Sequence, residues 1–142
     1  MLSKNLESII AQLEELTRSL FPEILKIYQN PNSGAQEKKD GSPVTAADMH
    51  AHKVIVNFLE SHFPDIPIVS EESFQQKNYR PAKEFWIIDP IDGTKEFVNK
   101  SDEFTTNIAL IQNGKPFIGV VGAPAFDKVW AGIANQSVKK IK

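Results

Sequence analysis

Two adjacent residues, Asn113 and Gly114, limit what this chain can fold into more than any others. They separate two runs of strand-forming residues, 105–112 and 116–123. An Asn-Gly pair takes the two positive φ angles of a type I′ turn, and the twist of that turn matches the twist of paired strands. The two runs are therefore expected as neighbours in an antiparallel hairpin, because a parallel crossover needs a far longer connection. Three further strand candidates are short: 66–69, 85–88 (ended by Asp89-Pro90) and 129–134. Phe85-Trp86 is expected as core strand rather than as a platform for stacking a base.

The first third follows a different period. Leu6, Ile9, Ile10, Leu13, Leu16 and Leu20 form one apolar helical stripe. Pro22 interrupts it, so the helix kinks there or a second one starts, with Ile24, Leu25 and Tyr28 continuing the stripe. Residues 30–42 are a polar loop by composition. Another helix follows, with Thr45 expected as its N-cap, Asp48 three residues later in its first turn, and Ala47, Ala51, Val54, Ile55, Phe58 and Leu59 as its buried face. Pro64 ends it. Helices first and antiparallel strands after predict an α+β fold, two N-terminal helices packed on a mainly antiparallel sheet, in one domain over 1–142.

Charge and composition exclude several functions. Lys and Arg total 16 against 18 Asp and Glu, a net charge of −2, without the clustered positive charge that a nucleic-acid backbone demands. The chain has 0 cysteines, which removes disulfides, thiolate metal sites and cysteine nucleophiles. No apolar run approaches the ~18 residues of a membrane span, and residues 1–7 lack the apolar core of a signal peptide. A cytoplasmic protein with no nucleic-acid or membrane partner is expected.

The segment Asp89-Pro90-Ile91-Asp92-Gly93-Thr94 carries the chemistry. A strand delivers Asp89 to its end, and Pro90 turns the chain so that Asp89 and Asp92 can face one site. Gly93 lets the backbone come close to a ligand. Thr94 supplies a hydroxyl, and 95–97 can open a short helix whose free N–H groups point at an anion. Ser70-Glu71-Glu72 closes another predicted strand and brings a third carboxylate toward the same rim. Hard oxygen ligands beside anion-binding amides are what magnesium-assisted phosphate chemistry requires. His50, His52 and His62 contain no i, i+4 pair and are expected as solvated helix positions.

These segments, with Lys38-Lys39-Asp40-Gly41-Ser42-Pro43-Val44-Thr45-Ala46-Ala47-Asp48 before them and Thr105-Thr106-Asn107-Ile108-Ala109-Leu110 and Gly119-Val120-Val121 after, resemble the inositol monophosphatase superfamily in order and spacing. Ser-Pro-Val-Thr-Ala-Ala-Asp and Asp-Gly-Thr-Lys-Glu-Phe are similar to its 3′(2′),5′-bisphosphate nucleotidase (CysQ-type) branch. The resemblance implies the first half of the family's layered αβαβα fold and the hydrolysis of a small phosphate ester. It implies Mg2+ held by Glu71, Asp89, Asp92 and the Ile91 carbonyl. It implies that Asp48 holds or activates the attacking water, that Thr94 shares a proton with it, and that the Gly93 and Thr94 N–H groups bind phosphate oxygens. Lys38 and Asp40 would sit in a loop over the site. For the branch it implies 3′-phosphoadenosine 5′-phosphate as substrate and inhibition by lithium.

In that family a second domain follows, with a Trp-Asp motif whose aspartate completes the metal site. Trp130-Ala131-Gly132 is not that motif, and the chain ends at Lys139-Lys140-Ile141-Lys142, expected as a frayed basic tail. The expectation is thus an N-terminal metal-binding domain with the C-terminal domain absent. Alternatives are an inositol monophosphatase, or a non-catalytic remnant that binds metal, phosphate or a partner chain. Apolar surface and an open strand edge, with Val120, Val121 and Phe126 in the exposed region, predict a homo-oligomer or a partner that covers the sheet.

Overall fold

The computed structural model describes residues 6–30, 43–69, 82–134 and 139–141. Helix α1 spans Leu6–Ser19, α2 Phe21–Tyr28 and α3 Pro43–His62. Strand β1 is Ile68–Val69, β2 Glu84–Asp92, β3 Thr105–Gln112, β4 Lys115–Ala123, β5 Lys128–Ile133 and β6 Lys139–Ile141. A short helix, α4 (Thr94–Val98), joins β2 to β3. The strands form one sheet in chain order, β1 parallel to β2 and every later pair antiparallel. This is the expected α+β fold, helices on a mainly antiparallel sheet. No helix among the described residues is long and apolar enough to cross a membrane.

The Asn113-Gly114 turn forms as its chemistry dictates, with φ of 52° and 77° at the two positions. The break at Pro22 is a new helix. The proline sits in the first turn of α2, where a missing N–H costs nothing. Two boundaries differ from expectation. Helix α3 begins at Pro43, two residues ahead of Thr45, so Thr45 is a buried helical residue rather than the N-cap, and Asp48 lies in the second turn. A proline pre-set at a helical φ starts a helix as readily as a capping hydroxyl does. Strand β2 does not end at Asp89 but runs through Pro90 to Asp92.

Helices α1 and α3 cover one face of the sheet, α1 on β4 and β5, α3 on β2. Ile9, Leu13 and Leu16 of α1, Leu20 just after it, and Ala47, Ala51, Ile55 and Leu59 of α3 are buried. They meet a row that crosses the sheet, Ile88, Ile108, Val120 and Ala131, each opposite the next. The small residues of α3 let it lie close to β2. Gly122 does the same under α1, since a Cβ there would fall 2.4 Å from Thr17 Cγ2 and 3.0 Å from Phe21. Trp86 is in the core, fully buried with Phe63 against it at 5.5 Å.

The opposite face carries no helix among the described residues. Val121 and Phe126 are exposed there and on the following 3-10 turn, Pro124–Phe126, as expected. Val120 is not, because successive strand residues point to opposite faces and Val120 takes the helix side. The basic tail is a second correction. Residues 139–141 pair with 129–131 as β6, because the outer edge of β5 offers unpaired N–H and C=O groups. Lysines on such an edge strand discourage further pairing.

Candidate active site

Asp89 and Asp92 are three apart, so in a regular strand they would point to opposite faces. They do not, because β2 carries a bulge between them. Asp89 lies opposite Asn107 and Asp92 opposite Thr105, so two residues of β2, Pro90 and Ile91, face one residue of β3, Thr106. The extra residue restores the phase. Both aspartates are exposed on the open face, while Pro90 and Ile91 between them are buried. Pro90 belongs at such a point, since it has no N–H to give to the ladder. The carbonyl it leaves unpaired accepts a 2.8 Å bond from the buried hydroxyl of Thr106. The two aspartates therefore share a face, by a bulge within the strand rather than by a turn after it.

Asn107 completes this corner. Its Nδ2 donates to Asp92 Oδ2 at 3.1 Å, and its backbone lies opposite Asp89. Thr106 and Asn107 were legible in the sequence only as part of a family motif. The signal for a site role was the polar run Thr105-Thr106-Asn107 at the start of an otherwise mostly apolar strand, set by the sheet register opposite Asp89 to Asp92.

Beyond Asp92 the chain turns at Gly93, whose φ of 91° strains any side-chain-bearing residue. A Cβ there would also stand 3.3 Å from the Phe104 backbone. Gly93 caps α4, and its carbonyl accepts the Phe97 N–H at 2.9 Å. Thr94 opens the helix and is half-buried. Five residues are too few to hold a helix in water, so α4 is held by packing. Phe97 is fully buried, with ring centroids 5.1 Å from Tyr28 and 5.0 Å from Phe104.

The returning loop is tied to the end of α2. Tyr28 donates its hydroxyl proton to Asp102 Oδ1 at 2.6 Å and accepts the Asp102 N–H at 2.8 Å. Lys100 donates to the Tyr28 carbonyl and lies over the Tyr28 ring, 4.8 Å from its centroid. Burial, and then the bond to Asp102, push the Tyr28 phenol up to about 12 from its ordinary 10.0. Burial lowers the Lys100 ammonium. Raised in the folded state, the phenol contributes stability that is complete below about pH 10 and is lost as pH rises toward 12. The urea midpoint is thus expected to fall over pH 10–12 more steeply in the native chain than in Tyr28→Phe, and parallel pH profiles would refute the coupling.

Asp48 is half-buried on α3. Phe63, just past the C-terminus of α3, packs on Trp86 near the start of β2, and α3 also packs on α4, so the N-terminal half of α3 lies toward the Asp89–Asp92 end. Lys38, Asp40, Ser70, Glu71 and Glu72 lie outside the described residues. Among the described residues no three His, Asp or Glu side chains form a group that could hold a metal ion. His52 and His62 are exposed and His50 is half-buried on α3, with the His62 ring stacked on Phe58 at 4.0 Å.

Residues 5–140 match the inositol monophosphatase family. The chain belongs to that family. It is 40% identical over 134 residues to the 3′(2′),5′-bisphosphate nucleotidase CysQ of Shigella flexneri, an alignment that covers 93% of this chain and 54% of the relative. It superposes on CysQ from Bacteroides thetaiotaomicron with a TM-score of 0.78 at 33% identity, covering 95% of this chain and 49% of that one. An inositol monophosphatase from Zymomonas mobilis gives the same TM-score of 0.78 at 29% identity, over 96% of this chain and 51% of that one. The chain spans about half the length of the relatives it matches.

Proposed function

We propose that this chain is the metal-binding half of a magnesium-dependent phosphomonoester hydrolase of the bisphosphate nucleotidase kind, acting on 3′-phosphoadenosine 5′-phosphate. One observation carries the reading: the β2 bulge sets Asp89 and Asp92 on one exposed face, immediately before Gly93 and Thr94. The 40% identity to a bisphosphate nucleotidase supports the choice of branch.

The donor set fits the ion. All the candidate groups are oxygens (carboxylates of Glu71, Asp89 and Asp92, and the Ile91 carbonyl), which suit a small hard dication and not zinc or copper. Bound magnesium lowers the pKa of water and offsets charge on the phosphoryl group. The side chains have separate tasks. Asp48 holds the attacking water and takes its proton, with the Thr94 hydroxyl sharing that proton. The Gly93 and Thr94 N–H groups hold phosphate oxygens. Gly93 serves the phosphate because only a residue without a side chain both adopts its φ and leaves the backbone N–H open to an anion.

The test is release of inorganic phosphate by the purified protein, with and without Mg2+, from the bisphosphate nucleotide and from inositol 1-phosphate. Magnesium-dependent release, faster from the nucleotide and inhibited by lithium, is the expected result for a protein with both halves present, whereas residues 1–142 alone are expected to give little or no release. Preference for inositol 1-phosphate would move the assignment to the second reading, which the match to the Zymomonas mobilis enzyme favours. Cation binding without release from either substrate even with both halves present would identify a non-catalytic phosphate- or metal-binding protein.

The open face also bears on partners. An apolar trough of about 330 Å³ lies along β3–β5, lined by Phe117, Val121, Trp130 and Ile133 among others. Such a face favours association. A second copy presenting the same surface is the simplest cover for these residues. Sedimentation at tens of micromolar should show a dimer or larger species, and a clean monomer would oppose it.

A further inference from the structure

We infer that Asn107 is a positioning residue for the Asp92 carboxylate, a role that rests on the metal-dependent reading above. Asn107 is the third residue of β3, a strand paired on both edges, where asparagine is disfavoured. On its own face its strand neighbours are Thr105 and Ala109, and its cross-strand partner on β4 is the apolar Val121. Its other cross-strand partner is Asp89, and its side chain reaches diagonally to Asp92. One side chain is thereby placed between the two carboxylates that the bulge aligns.

The two ends of its amide are in unequal states. Nδ2 is engaged with Asp92 Oδ2 at 3.1 Å. Oδ1 is buried and has no hydrogen-bond partner among the described residues. The orientation is forced, because a flipped amide would set two oxygens against each other and lose the bond. A buried acceptor without a donor is a cost; Thr17 Oγ1 and Trp86 Nε1 carry it inside the core, and among the described residues Asn107 alone carries it beside two carboxylates. Valine or threonine would pair as well in this strand without it. Nδ2 meanwhile pins one oxygen of Asp92, so the other is held in a single direction. Residues that orient metal-ligating carboxylates in this way affect affinity without touching the ion.

The experiment compares Asn107→Val with the native chain by two measurements: Mg2+ affinity by titration calorimetry, and the thermal midpoint in EDTA and in Mg2+. Valine suits a strand and can neither donate nor accept. The expected result is Mg2+ affinity lowered about 10- to 100-fold, an EDTA midpoint unchanged or raised, and a smaller rise in midpoint on adding Mg2+. Asn107→Ala makes the same comparison if the valine variant does not fold. Equal Mg2+ affinity in variant and native chain would overturn the role of Asn107 and leave the metal-dependent reading standing. A weaker affinity accompanied by a matching fall of the EDTA midpoint in both variants would show Asn107 to be a structural residue only. A native chain that binds no divalent cation would overturn the metal-dependent reading itself, and the inference with it.

Discussion

Asp92→Asn is expected to weaken divalent-cation binding by about 100-fold or more, at or beyond the upper end of what loss of a supporting residue does. The substitution removes one formal charge from a ligand and keeps its size. Asp92 is exposed, so no packing is lost with it. Its contact with Asn107 survives, because an asparagine Oδ1 still accepts from Nδ2. Without a cation, Asp89 and Asp92 on one face repel each other, so the variant should be as stable as the native chain in EDTA, or slightly more so. Calorimetry that gives the same affinity for both proteins would remove Asp92 from the ligand set. A lower affinity with an unchanged fold would separate its chemical role from a structural one.

Phe97→Ala is expected to cost about 3–5 kcal/mol, the range for deleting a large buried aromatic ring. Phe97 has 0% exposure and lies between the rings of Tyr28 and Phe104. It is the only fully buried residue of α4, and the helix has no side-chain cap at its N-terminus. The loss should therefore extend beyond the cavity. Gly93 and Thr94 begin the same helix, and their N–H directions depend on α4 staying formed. Urea unfolding at neutral pH measures the stability term, and a loss below about 1 kcal/mol would mean that α4 is held by something other than this cluster. Amide exchange of the α4 backbone in the variant reports the second effect, which should exceed any change in α1.

Local chemistry made much of this protein legible without coordinates. The Asn113-Gly114 pair dictated a hairpin because its φ angles belong to those two residues alone. The stripes of α1 and α3 were visible because a helix repeats within a few residues, and Pro22 marked a helix start because a proline constrains its own backbone. The Asp-Pro-Ile-Asp-Gly-Thr motif pointed to the family because its residue types and order are themselves the pattern.

What only the tertiary structure decided involves partners far along the chain. That Asp89 and Asp92 share a face follows from the two-against-one pairing of Pro90 and Ile91 with Thr106, and no local period contains that count. Asn107 became a candidate for the site only when β3 was set in register beside β2. The tail of 139–141 became a strand because the edge of β5 had hydrogen-bonding groups to satisfy, a demand invisible in a lysine-rich sequence. Val120 and Val121 are the same residue type side by side, yet one is sealed beneath the helices and the other faces out. The amino acid sets how much free energy burial would release, whereas the register of the sheet sets which of the two valines is buried.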